Sequence, residues 1–217
     1  MKKIIIPYIE KLSQSKIEDV VVILENEGIE GAIDTINWSK DFPYRPITSF
    51  FIAYSSDGLY IKYKVHGSML KAEYTKDQDP VYEDSSVEFF CKKEDEDFYY
   101  NFEFNCIGTC LAKKRKNRKE DVTPLAEQQL ALIERYSSIG RRAFKELEGM
   151  FLWNLTVKIP FEILGLNFQY LPEKLQGNFY KCADGTGSPH YLSWAPIKTP
   201  SPDFHRPEFF GEIIFGG

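Results

Sequence analysis

The chain has 217 residues, 43% hydrophobic and 27% charged, with a formal net charge of −5. That balance excludes a largely disordered chain and gives no global electrostatic reason to bind nucleic acid. No apolar run approaches the ~18–20 residues that span a bilayer, so no membrane partner is expected. The 17 Phe, 13 Tyr and 3 Trp favour β-structure over a helical bundle.

The chain opens with only a short apolar run, Ile4-Ile5-Ile6-Pro7, against the ~7–15 residues of a secretion signal. A cytoplasmic protein is expected, or a secreted or periplasmic one if a leader has been removed. Ser15 and Glu18 have capping-box spacing. Ile17, Val20, Val21 and Leu24 follow at helical spacing, which predicts a helix over about 16–26, ending near Gly28. The pattern then changes period. Phe50–Tyr54 and Leu59–Val65 flank Ser55-Ser56-Asp57-Gly58 and read as a hairpin. Val87–Cys91 and Tyr99–Asn105 form a second pair around the acidic loop Glu94–Asp97. A second helix is predicted from a Thr123 cap and Pro124 at its first position, with Leu125, Gln129, Leu132, Ile133 and Tyr136 along one stripe. Trp153–Ile159 alternates as a one-sided strand, and His190–Trp194 and Phe209–Phe215 are two late strands. There is no internal repeat and no linker. The expectation is therefore one domain over 1–217: an all-β, antiparallel sandwich with one or two short helices. Residues 1–35 form an N-terminal extension, and 113–140 a basic loop and helix insertion.

Strand parity supplies the candidate site. In Tyr99–Asn105, Tyr100, Phe102 and Phe104 share one face, and Asn101, Glu103 and Asn105 the other. In the partner strand Val87, Phe89 and Cys91 point to the core, and Ser86, Glu88 and Phe90 away from it. Pairing would bring Glu88 and Glu103 together on a polar face. Carboxylates and amides suit the vicinal hydroxyls of a sugar; a plain solvated sheet face is the alternative. Two carboxylates also admit a glycoside hydrolase using Glu88 and Glu103. The segment Phe204–Gly211, including Arg206, follows several prolines and would present its aromatics on a stiff loop.

Other signals are weaker. Lys113–Lys119 holds six basic residues in seven and reads as a solvated loop before a phosphate contact. Cys106 and Cys110 make a poor zinc pattern; with Cys91 and Cys182 they read as free buried thiols. Asp184–Ser188 is Gly-rich but precedes no helix, and there is no G-x-S-x-G. No metal ligands are assigned.

Val81-Tyr82-Glu83-Asp84-Ser85-Ser86-Val87-Glu88-Phe89-Phe90 resembles the aromatic-x-x-D-S-V-E-aromatic segment of family 9 carbohydrate-binding modules. Asn101–Asn105 is similar to that family's next strand. Leu192-Ser193-Trp194 and Phe204–Phe215 resemble its C-terminal end. Ile36-Asn37-Trp38, Tyr99–Gly108 and His205–Gly211 are closer still to bacterial family-9-like proteins. The resemblance runs from about residue 36. It implies a DOMON-like sandwich that binds sugars without cleaving them, as do modules attached to xylanases that grip the reducing ends of glucans and xylans. It also implies two aromatics clamping the sugar, here Tyr82 and Phe204 where the family has Trp. Glu88, Asn101, Glu103, Asn105, Trp194 and Arg206 complete the expected ligand-binding set. No cofactor is expected beyond the structural calcium many members carry, although this sequence has no calcium-loop motif. An interaction domain of the same fold that has lost its sugar is a further alternative. The sequence leaves the oligomeric state open.

Overall fold

Alternating apolar residues build two facing sheets. The computed structural model describes Met1–Gly217 throughout. In chain order the elements are β1 (Lys3–Ile6), α1 (Ile17–Glu27), β2 (Ile29–Ala32), β3 (Thr35–Ile36), β4 (Ile47–Tyr54), β5 (Gly58–Ala72), β6 (Ser86–Lys93), β7 (Tyr99–Asn105) and β8 (Cys110–Arg115). They continue with β9 (Thr123–Pro124), α2 (Glu127–Leu132), β10 (Glu134–Ser137), β11 (Phe144–Pro160), β12 (Lys174–Cys182), β13 (Tyr191–Ser193) and β14 (Gly211–Phe215). One sheet has the order β10-β11-β5-β4-β2; the other runs β1-β14-β12-β6-β7-β8-β9, with β13 on β12 and β3 on β13. Neighbours are antiparallel except β1 and β14, which run parallel. The chain is thus an all-β sandwich with two short helices. No helix is long and apolar enough to cross a membrane.

The inner faces bury one core of 37 residues. Phe179 stacks between Phe50 of the opposite sheet, centroids 3.8 Å apart, and Phe89 at 4.9 Å. Val87, Phe89 and Cys91 point inward as parity required, as do Phe102 and Phe104. All four cysteines are buried and free.

Several local expectations are corrected. Ser15 does not cap α1: Lys16 holds that position without a side-chain bond, and the Ser15 hydroxyl donates to the Lys11 carbonyl. Thr123 and Pro124 are strand, not helix, because Thr123 pairs with Lys114 and Pro124 with Lys113. The helix starts later, at Glu127, where Gln129 accepts from the Ala126 amide. Its six residues are too few for the expected stripe. Leu130 and Ile133 are buried and Leu132 is exposed, while Tyr136 belongs to β10, paired with Thr156.

The outer face of the larger sheet is also covered. The segments around Trp38 and from Ile197 to Phe210 fold over it, packing eight buried residues, among them Phe90, Tyr99, Tyr180 and Phe204. This second apolar layer leaves a cleft beside it.

Candidate functional site

The cleft encloses about 510 Å³. Its floor comes from β6, β7 and β12, and one wall from β8. Glu88 and Glu103 sit directly opposite each other across the β6–β7 ladder, which brings their side chains side by side. Both are buried, at 3% and 4% exposure, so the floor is not the solvated face that alternation alone suggested. The cover from the loops is the reason.

Burial drives the electrostatics of this floor. Desolvation and the Glu103 charge push the Glu88 carboxyl well above the usual range. Glu88 Oε1 accepts from the Cys182 thiol at 3.1 Å. Burial also raises Glu103 to about 7, against the pull of Arg115 and Lys113. Asp184, at the end of the cleft nearest β12, is raised to about 6, again mainly by burial. His205, placed by a 2.9 Å hydrogen bond with the Tyr99 hydroxyl, is held neutral, because burial lowers it to about 3. The floor therefore offers both donors and acceptors near neutrality, which is the mixture sugar hydroxyls pair with.

Of the eight residues predicted from sequence, the cleft gathers four: Tyr82, Glu88, Glu103 and Phe204. Tyr82, on a single helical turn over Val81–Glu83, is 37% exposed. Its carbonyl accepts from the Asp184 amide at 2.9 Å. Phe204 contributes less than a full plate. It is only 9% exposed, and one ring face stacks on Tyr180 at 4.2 Å. Phe42 and Tyr191, in edge contact with each other at 4.8 Å, line the cleft as well.

The other four lie elsewhere. Trp194 is in the main core, edge-on to Phe179 at 5.8 Å. Gly211 lets β14 close on it, since a Cβ there would meet the indole at 2.3 Å. Asn101 is fully buried and donates to Glu103 Oε1 at 2.9 Å, so it orients the carboxylate from behind the surface. Asn105 donates to Asp84 Oδ2 and the Tyr74 carbonyl and accepts from the Thr109 amide, tying loops together. Arg206 turns to Glu208 at the surface.

The basic run is the main residue set that sequence reasoning missed. Lys113 and Arg115 are in β8, and they line the cleft with Arg118. The signal was present as parity. Cys110 and Ala112 point inward, so Leu111, Lys113 and Arg115 share the face of Glu103, Asn101 and Tyr99, their partners in register. Phe42, Asp184, Tyr191 and Asp203 reach the cleft from separate loops, and no local pattern marks them.

The residues present do not suit the structural calcium that the resemblance implied. No three His, Cys, Asp or Glu side chains cluster to hold a metal ion. Asp84, the buried carboxylate nearest such a role, accepts from the Glu73 and Tyr74 amides and from Asn105. The Lys71 ammonium already stands among the Asp84 and Glu73 carboxylates and the Glu83 and Gly185 carbonyls, at 3.2–3.9 Å.

Comparison with known proteins agrees with this architecture. The sequence profile of carbohydrate-binding family 9 matches residues 18–215. A candidate carbohydrate-binding protein from Bacteroides uniformis is 34% identical, with 99% of each chain covered and a TM-score of 0.91. A family 9 module from Caldicellulosiruptor kristjanssonii, solved in complex with glucose, shares the fold at 13% identity, covering 100% of this chain and 96% of that one, TM-score 0.64. Its complex with cellotriose gives 12% identity, 100% and 94% coverage, and a TM-score of 0.58. No curated protein matches the chain. With the profile spanning nearly its whole length, the chain belongs to carbohydrate-binding family 9.

Proposed function

We infer that this protein binds a saccharide without cleaving it, holding the sugar in the cleft between aromatic rings and over the Glu88–Glu103 floor. The observation that carries this reading is the convergence of Tyr82 and Phe204, far apart in sequence, on one cleft whose floor is a buried pair of carboxylates. Tyr82, the more exposed ring, supplies the stacking face. Phe42, Tyr191 and the free part of Phe204 supply the remaining aromatic surface. Aromatic contact of this kind contributes on the order of 1–2 kcal/mol per ring; hydroxyl pairing with the floor sets orientation. Glu88 and Glu103 rise from adjacent strands of one sheet and approach a ligand from the same side. A glycosidase pair instead flanks the scissile bond, so this placement favours holding over hydrolysis.

Isothermal titration against a panel of neutral and acidic mono- and oligosaccharides tests the reading. Micromolar to millimolar binding is expected with at least one of them, lost in Tyr82→Ala while the unfolding midpoint stays put. Absence of heat across the whole panel, or full retention of binding in Tyr82→Ala, overturns it.

A further inference from the structure

The β8 wall carries more positive charge than hydroxyl recognition requires. Arg115 is 5% exposed, yet its guanidinium makes one hydrogen bond, from Nη1 to the Arg118 carbonyl at 3.2 Å, and its Nε–H is buried without a partner. No carboxylate lies within ion-pair distance of Arg115 or of Lys113, whereas Arg118 faces Asp203 at 3.5 Å. A buried guanidinium without a counter-ion is costly. Most other buried cations of this protein have one: Lys62 pairs with Glu25, and Arg135 with Asp77 at 2.7 Å. A guanidinium on the cleft wall with no carboxylate beside it points to an anionic group that completes it.

The cleft is also polarised. Glu88 and Asp184 lie towards β6 and β12, and Lys113 and Arg115 on β8. β8 is two strands from β6, roughly 10 Å at ordinary strand spacing. Along the strand, Lys113 and Arg115 stand two and four residues from Leu111, the partner of Glu103. One end of the cleft therefore suits hydroxyls, and the other an anion with the planar fork geometry of a carboxylate.

We propose that the preferred ligand is an acidic sugar, a uronic acid or a glycan ending in one, whose hydroxyls meet Glu88 and Glu103 and whose carboxylate meets Lys113, Arg115 and Arg118. This rests on the sugar-binding reading and names the ligand class for the same cleft.

Paired titrations of the full chain with glucuronate against glucose, and galacturonate against galactose, test it. At least one uronate binds about tenfold or more tighter than its neutral counterpart, and the gap narrows as sodium chloride rises. Lys113→Met and Arg118→Gln, at a half-buried and an exposed position, each shrink the ratio of uronate to neutral-sugar affinity several-fold. Neutral sugars bound as tightly as uronates, or a preference unmoved by both substitutions, overturn this inference and leave sugar binding standing. Silence with every sugar overturns both.

Discussion

The two faces of the larger sheet are built from the same strands and buried to the same degree, yet they do opposite work. The inner face is mainly hydrocarbon and aromatic ring: Val87, Phe89, Phe102, Phe104 and Phe179 meet the second sheet in one continuous core, and its buried cation Lys181, in register with Val87, is tied to His190 and the Cys182 carbonyl. The outer face also has fully buried rings, Phe90, Tyr99 and Tyr180. Beside them it buries Glu88, Glu103 and Asn101 at 4% exposure or less. The inner face gains stability from each apolar group it hides. The outer face hides charge, which opposes folding unless it is paired or neutralised, and burial shifts its carboxyls towards the protonated form. A surface that accepts such a penalty is one suited to ligands.

Substitutions on either side sharpen this contrast. Trp194→Ala gives the largest effect. A large aromatic leaves the core, and stability falls by about 3–5 kcal/mol in urea unfolding, whereas a role confined to the cleft would leave the midpoint unchanged. Asn105→Ala follows, at about 1–3 kcal/mol, because Asp84 and the Thr109 amide each lose a buried partner; an unchanged midpoint would break the assignment of Asn105 as a loop tie.

The outer face then predicts a pH dependence. Glu103 ionises near ~4 in the unfolded chain but only at about 7 when folded. Between those values the folded protein binds the extra proton, so its stability falls as pH rises through that window. Glu103→Gln keeps the hydrogen bond from Asn101 and removes this part of the decline. At pH 8 the variant is more stable than wild type by on the order of 1–3 kcal/mol, a difference that shrinks at pH 4.5. Equal slopes in urea titrations across pH 4.5–8 would contradict a protonated floor. The smallest effect belongs to Arg206→Ala, which breaks a surface pair with Glu208 and leaves both the unfolding midpoint and sugar affinity within measurement error.

Much of the site is legible in the sequence because alternation is local. Residues two apart share a face in any strand, so the parity of Tyr99–Asn105 and Ser86–Cys91 is enough to set Glu88 beside Glu103. The same rule applied to Cys110–Arg115 finds Lys113 and Arg115, but the charge run obscures the strand. Alternation cannot say whether a face is covered. Asn101 and Asn105 share the parity of Glu103 and yet lie behind and beside the cleft, because one is turned to the carboxylate and the other to Asp84. Resemblance to the family's C-terminal end puts Trp194 and Arg206 in the site, but motif order marks a segment and not the direction of each side chain.

Sequence alone determined the strand-rich sandwich, its hairpins, α1, and the pairing of the two floor carboxylates. All of these follow from the period of apolar residues and from turn chemistry within a few positions. Tertiary structure decided that the outer face is buried, that burial pushes its acids towards the protonated form, that Tyr191 and Phe42 join Tyr82 around the cleft, and that a basic strand forms its wall. Those outcomes depend on segments more than a hundred residues apart, such as the Trp38 indole donating to the Thr199 carbonyl at 2.8 Å. Desolvation, and the charge states it sets, exist only once such distant segments have closed over the sheet.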